Sequence, residues 1–218
     1  EFRAVQAAAR DHAGLPPRHT FFDPIEQGSP ELWRAVADLA HGGAGEIEVR
    51  LFWATLGGSL QLSEQVRDGT LEMALTDDSV MASFHPPMMA LQIPYLFPSS
   101  AVAWEFTREP ALWSLVEGMR EASGIRTLAF SENGFRSITN NVRAVRGPED
   151  MEGLKMRTMQ SPVYGELMRS LGAAATPIAA PEMYLALRQG VVDGQENSPV
   201  AALDYKLPEV QRYFALNE

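Results

Sequence analysis

The sequence predicts an α/β fold of mostly parallel sheets flanked by helices, and three stretches carry that prediction. Between Glu46 and Leu75 an alternating strand gives way to a helix and then to a short apolar strand. Between Leu154 and Pro177 the same succession of strand, helix and extended segment recurs. Pro181 to Pro199 then reads as a short helix, a stop, a strand and a polar tip. Strand, helix and strand in succession imply a right-handed crossover and parallel pairing with helices on the sheet faces.

Taken in order, Arg3-Ala4-Val5-Gln6-Ala7 reads as a first strand, followed by a polar loop through Pro16-Pro17 and His19 to Gln27. Ser29-Pro30 supplies an N-cap with proline at the first helical position. Leu32, Trp33, Val36, Ala37 and Ala40 recur at helical spacing up to a stop at Gly42-Gly43. From Glu46 to Phe52, Ile47, Val49 and Leu51 alternate with Glu48 and Arg50, the mark of a strand buried on one face. The Gly57-Gly58 turn leads into a helix with Leu62 and Val66 on one side and Gly69 as its stop. Met73-Ala74-Leu75 is the next strand, ending at Thr76-Asp77-Asp78-Ser79.

Ala90 to Phe97 is expected to be extended, and Ser99 to Glu121 helical with a break at Pro110. Arg126 to Phe130 reads as an apolar strand leading into Ser131-Glu132-Asn133-Gly134 and a second extended run, Phe135 to Thr139. Pro148 to Glu152 makes a helical turn and Leu154 to Met159 a strand. Ser161-Pro162 caps a helix carrying Leu167, Met168 and Leu171, with Gly172 as its stop, and Ala173 to Pro177 is extended. In the last unit Pro181 suits the first helical position, Glu182 lies where the helix dipole favours an anion, Arg188 where it favours a cation, and Gly190 provides a left-handed stop. Val191-Val192 then open a β-branched strand that ends in the polar run Asp193-Gly194 to Asn197.

At 218 residues the chain is long enough for one large domain or two small lobes with a real core. Its net charge of -10 argues against nucleic acid or an anionic membrane as the partner, since both require basic patches. No run of about eighteen apolar residues is present, so no membrane insertion is predicted. The chain opens on Glu1-Phe2 without a charged-then-apolar leader and is read as starting on a mature or trimmed polypeptide. The absence of cysteine excludes disulfides, cysteine nucleophiles and zinc-thiolate sites. Metalloprotease, nucleophile-elbow, phosphate-loop and dinucleotide fingerprints are missing, and His12, His19, His41 and His85 lack metal spacing. No enzyme activity and no cofactor are expected.

Three strings carry a family resemblance. The first is Glu132-Asn133-Gly134-Phe135-Arg136-Ser137-Ile138-Thr139-Asn140, and the second is Pro148-Glu149-Asp150-Met151-Glu152-Gly153-Leu154-Lys155-Met156-Arg157. The third is Glu182-Met183-Tyr184-Leu185-Ala186-Leu187-Arg188-Gln189-Gly190, running into Val192-Asp193-Gly194-Gln195-Glu196-Asn197. In this order they resemble the extracytoplasmic solute-binding proteins of tripartite ATP-independent periplasmic (TRAP) transporters, of the dicarboxylate-binding type. The resemblance implies a two-lobed fold like that of periplasmic binding proteins, type II-like, with a ligand cleft between lobes. Residues 1–130 would form one lobe and 131–218 the second, with Ser131 to Gly134 as the first crossing. It further implies a monomeric, non-enzymatic protein in the periplasm that captures a small organic acid, a sugar acid or a dicarboxylate, and hands it to TRAP permease subunits in the membrane.

In open α/β sheets ligands sit beyond the carboxyl ends of the strands, where helix N-termini also point free N–H groups. Three tips fall there: Asp77-Asp78-Ser79, Arg157 to Ser161, and Gln195-Glu196-Asn197. Arg157 ends a strand just before a helix N-terminus, and its planar guanidinium suits a carboxylate. The resemblance matches Arg157 to the main carboxylate contact, Arg136 to a second carboxylate or hydroxyl contact, and Asn197 to the residue completing the site. The structural alternative for Arg157 is an ion pair with Glu149, Asp150 or Glu152.

The other lobe is expected to contribute Asp77, Asp78 and Ser79, where the family tends to place small uncharged residues. Two acids there would repel a bare dianion, so hydroxyls, an amine or a bridging cation are the expected complement. The structural alternative is that Asp78 caps the next segment and Asp77 faces water. Phe21, Phe22 and Trp53 are candidates to line the cleft, with packing as the alternative. Ser198 also departs from the family's proline after the asparagine, and family members continue beyond Glu218. Two rival functions are an extracytoplasmic sensory domain and a small hydrolase or isomerase using Asp77, Asp78 or Glu196.

Overall fold

The structure, a computed structural model, describes residues 20–22, 49–52 and 55–216. The expected first strand at Arg3 to Ala7 and the helix opened by Ser29-Pro30 lie outside these residues, as does Trp53. Two short parallel strands, β1 (Thr20–Phe22) and β2 (Val49–Leu51), pair in register. β1 falls where the sequence suggests a loop.

The helices of the first half follow their capping signals. Helix α1 (Ser59–Arg67) follows the two glycines and ends before Gly69, whose φ of 73° is left-handed. A four-residue helix, α2 (Asp78–Met81), follows. The predicted strand at Met73 to Leu75 reduces to a single bridge at Leu75, and the first three residues of the expected extended run Ala90 to Phe97 belong instead to a 3-10 helix, Pro86–Gln92. Two prolines at its start pre-set the helical φ and explain the difference. Pro110 divides the following helical region into α3 (Ser100–Phe106) and α4 (Pro110–Ser123), as expected. Val80, Met81, Met88, Met119 and Ile125 close this part around one apolar cluster. Arg126 to Phe130 has no ladder pairing among the described residues, so the predicted strand there is corrected to unpaired chain.

The second half is built on five strands: β3 (Ser137–Asn140), β4 (Lys155–Thr158), β5 (Ala174–Pro177), β6 (Gly194–Asn197) and β7 (Tyr213–Ala215). Their order across the sheet is β5-β4-β6-β3-β7. β4 pairs parallel with β5 and β6, whereas β3 pairs antiparallel with β6 and β7. The sheet is therefore mixed, which corrects the expectation of a mostly parallel one. Parallel neighbours need a crossover, usually helical. Helices α5 (Pro162–Ser170) and α6 (Ala180–Arg188) provide one between β4, β5 and β6, but only a 3-10 turn, Pro148–Met151, separates β3 from β4. β3 consequently runs against its neighbours. Helix α7 (Pro199–Asp204) follows β6.

The two sheet faces have separate cores. Met156 and Ile138 pack with Met151, Leu154 and Met168, the last from α5. Met183 and Leu187 of α6 pack with Val192, Ala202 and Leu207. Val191 and Val192 do not form the predicted strand: Val192 fills that second core while Val191 is exposed, and the ladder starts only at Gly194. The polar run read as a tip is thus the strand itself, buried throughout. Gly194 permits this because a Cβ there would lie 2.2 Å from the Thr139 carbonyl oxygen.

Candidate ligand-binding site

Register places Thr176, Arg157, Gln195 and Thr139 side by side across four strands, on one face of the sheet. Arg157 is 1% exposed, and its Nε donates to the Ile178 carbonyl at 2.8 Å. That carbonyl lies just before α6, so the crossover that returns the chain to the sheet also orients the guanidinium. None of the ion pairs found among the described residues joins Arg157 to Glu149, Asp150 or Glu152.

Arg157 lines a crevice that draws residues from both halves of the chain. Ser59, Asp77 and Ser79 come from the first half, and Met159, Gln160 and Ile178 from the second. The crevice has about 10 Å³ of room for a water-sized sphere, enough for about one water. Ala180 of α6 packs with Leu62 and Leu71 beside it, a second apolar contact between the halves.

The acidic tip divides its roles in the reverse of the structural alternative considered above. Asp77, not Asp78, is the N-cap of α2: it accepts from the Ser79 amide at 3.1 Å, from the Ser79 hydroxyl, and from the Ser59 hydroxyl at 2.5 Å. Asp78 is half-buried. Burial first, and the Asp77 charge second, push its carboxyl up to about 6, against the pull of the Arg136 guanidinium. Ser79 is buried beside them.

Arg136 pairs with Glu196, which sits on the sheet face opposite Arg157. Its Nε donates to the Glu196 carboxylate, and its Nη2 donates to Oε1 at 3.2 Å and to the Glu196 carbonyl at 2.9 Å. The guanidinium also lies over the Tyr164 ring, 5.6 Å from its centre, and burial pushes the Tyr164 phenol well above its usual range. Asn197 is 1% exposed; its Oδ1 accepts from Asn133 Nδ2 at 3.0 Å and from the Ser198 amide at 2.9 Å. Its Nδ2, like Gln195 Oε1 and Thr158 Oγ1, is buried without a hydrogen-bond partner.

Arg157, Asp77 and Ser79 therefore meet at one crevice, while Arg136 belongs with Glu196 and Tyr164. Asp78 stands within electrostatic reach of that second group. Sequence reasoning missed Ser59, Gln92 and Tyr164 as neighbours of the site, and it gave Asn133 no contact role; Gln160 lay within the Arg157 to Ser161 tip it had placed there. Only Asn133 stood in a recognised string; Ser59, Gln92 and Tyr164 carry no local signal. No group of three or more histidines or carboxylates among the described residues is arranged to hold a metal, so the bridging cation gains no support. No helix among them is long and apolar enough to cross a membrane.

Residues 23–218 match the sequence model for bacterial extracellular solute-binding protein, family 7. A solute-binding protein of Verminephrobacter eiseniae is 36% identical over 173 residues, 79% of this chain and 51% of its own. The 2,3-diketo-L-gulonate-binding periplasmic protein of Escherichia coli is 32% identical over 173 residues, 79% of this chain and 52% of its own. The chain thus spans about half the length of these curated relatives. A crystal structure of the sugar acid binding protein of Advenella mimigardefordensis in complex with galactonate superposes with a TM-score of 0.86 at 30% identity, covering 92% of this chain and 66% of that one. A buried arginine lining a crevice, a mixed α/β sheet and a match over nearly the whole chain agree: the protein belongs to family 7 of the bacterial extracellular solute-binding proteins, the non-enzymatic periplasmic binding proteins of TRAP transporters.

Proposed function

We propose that this chain captures a small organic acid, with a sugar acid as the favoured class, and delivers it to a TRAP permease in the membrane. The carrying observation is Arg157, buried at the crevice where residues of both halves meet. Residues 1–130 and 131–218 act as two lobes, and the acid enters between them. A space for about one water does not admit a sugar acid, so capture requires the lobes to part and then close.

In this reading Arg157 grips the ligand carboxylate through charge-assisted hydrogen bonds, each worth about 1.5 to 3 kcal/mol. Arg136 and Asn197 complete the binding surface from the same lobe, and Asp77, Asp78 and Ser79 meet the ligand's remaining groups from the other. The similarity to proteins named for binding 2,3-diketo-L-gulonate and galactonate supports the class of ligand.

Calorimetry of the full-length protein with D-galactonate and related sugar acids tests the reading. Arg157→Ala is expected to weaken the best ligand by about 2 to 5 kcal/mol, roughly 30-fold to several thousand-fold. A change below about threefold for that variant rejects the role of Arg157.

A further inference from the structure

We infer that Asp77 and Asp78, with the Arg136–Glu196 pair, make this site select acids bearing a single carboxylate on a hydroxylated chain and reject the corresponding dicarboxylates. The inference rests on the acid-capture reading above and deepens it. The crevice itself carries one guanidinium, Arg157, and one carboxylate, Asp77; a second charged group, Arg136 paired with Glu196, lies within electrostatic reach of the adjoining Asp78. Glu196 holds Arg136 through two of its guanidinium nitrogens. A first ligand carboxylate meets Arg157. A second one faces Asp77 on the wall of the same crevice, and the other guanidinium, Arg136, is already opposed by Glu196.

Like charges a few ångströms apart in a site shielded from water repel about four times as strongly as in bulk water. Hydroxyls fit the same surroundings well. The Asp77 carboxylate, anchored by Ser59 and Ser79, is an acceptor. On the face that carries Arg157, Gln195 offers a buried acceptor and Asn197 a buried donor, neither with a hydrogen-bond partner. A hydroxyl donates and accepts at once and so satisfies both kinds of group, whereas a carboxylate only accepts.

The test compares each aldonate with the aldarate that differs only by oxidation of its terminal hydroxymethyl group. Calorimetry at pH 8 on the full-length protein uses D-galactonate against galactarate, D-gluconate against D-glucarate, and D-glycerate against tartronate. At least one aldonate is expected to bind about 30-fold or more tightly than its partner, about 2 kcal/mol at 1.4 kcal/mol per tenfold. Asp77→Asn is expected to shrink that gap at least fivefold by strengthening the aldarate, because asparagine preserves the N-cap while removing the charge. Asp78→Asn tests the second acid without touching the cap. If no aldonate outbinds its aldarate, or if the gap is unchanged in both variants, the inference is overturned and acid capture is left standing. No binding by any of the six acids overturns the capture reading and the inference with it.

Discussion

Gln92 and Ser161, 69 residues apart in sequence, are joined side chain to side chain: the Ser161 hydroxyl donates to Gln92 Oε1. The other end of the same amide donates from Nε2 to the Asp78 carbonyl at 2.9 Å. Ser161 in turn caps α5 by accepting from the Val163 amide at 3.2 Å. One buried side chain therefore ties the acidic tip of the first half to the helix that follows Arg157 in the second.

Truncating that tie leaves a buried hydroxyl and carbonyl without their partner. Gln92→Ala is expected to destabilise the protein by about 1 to 3 kcal/mol in urea unfolding. If the halves close on the ligand, the variant also binds its acid about 5- to 30-fold more weakly. Unchanged stability with unchanged affinity rejects the tie.

Asp78 predicts a pH dependence. Its folded-state value of about 6 lies above the ordinary 3.8, so the folded protein binds the proton more tightly than the unfolded chain. The stability this contributes is fully present below about pH 4 and is lost as pH rises through 6, on the order of 3 kcal/mol. Asp78→Asn should therefore be more stable than the parent at pH 7.5, by several degrees in Tm, with the difference shrinking towards pH 4. Equal melting temperatures at pH 7.5 contradict the burial of that charge.

Arg136 and Glu196 form a largely buried pair, with side chains 20% and 5% exposed. Removing either partner strands the other, so Arg136→Ala and Glu196→Ala are each expected to cost about 3 kcal/mol. A double-mutant cycle should return a coupling of about 1 to 3 kcal/mol. Additive losses would show that the two side chains act separately.

Gly194→Ala places a methyl group against the Thr139 carbonyl, where β6 pairs with β3. The expected result is loss of more than about 3 kcal/mol, or recovery of the variant only as aggregate. A melting temperature within about 2 °C of the parent, a margin of roughly 1 kcal/mol, rules out the close approach.

Much of the local structure was legible from neighbouring residues. Ser161-Pro162, Pro110, Gly172 and Gly190 act through backbone geometry and capping within a few positions, and α4, α5 and α6 begin or end where those residues direct. Arg157 was legible as well, because a strand end before a helix N-terminus is a local pattern. The errors fell where tertiary context overrides propensity. Gln195, Glu196 and Asn197 are poor strand formers, yet they lie in the sheet because β3 pairs with all three and β4 with Gln195 from the other side.

By itself the sequence determined the limits of α1, α4, α5 and α6, the α/β class and the three strings that mark the family, since each depends on chemistry between near neighbours or on their order. Only the tertiary structure decided that Asp77 caps while Asp78 is buried, that Arg136 faces Glu196, and that Gln92 reaches Ser161. Those choices depend on distances between residues far apart in the chain, and such distances exist only after the halves have packed.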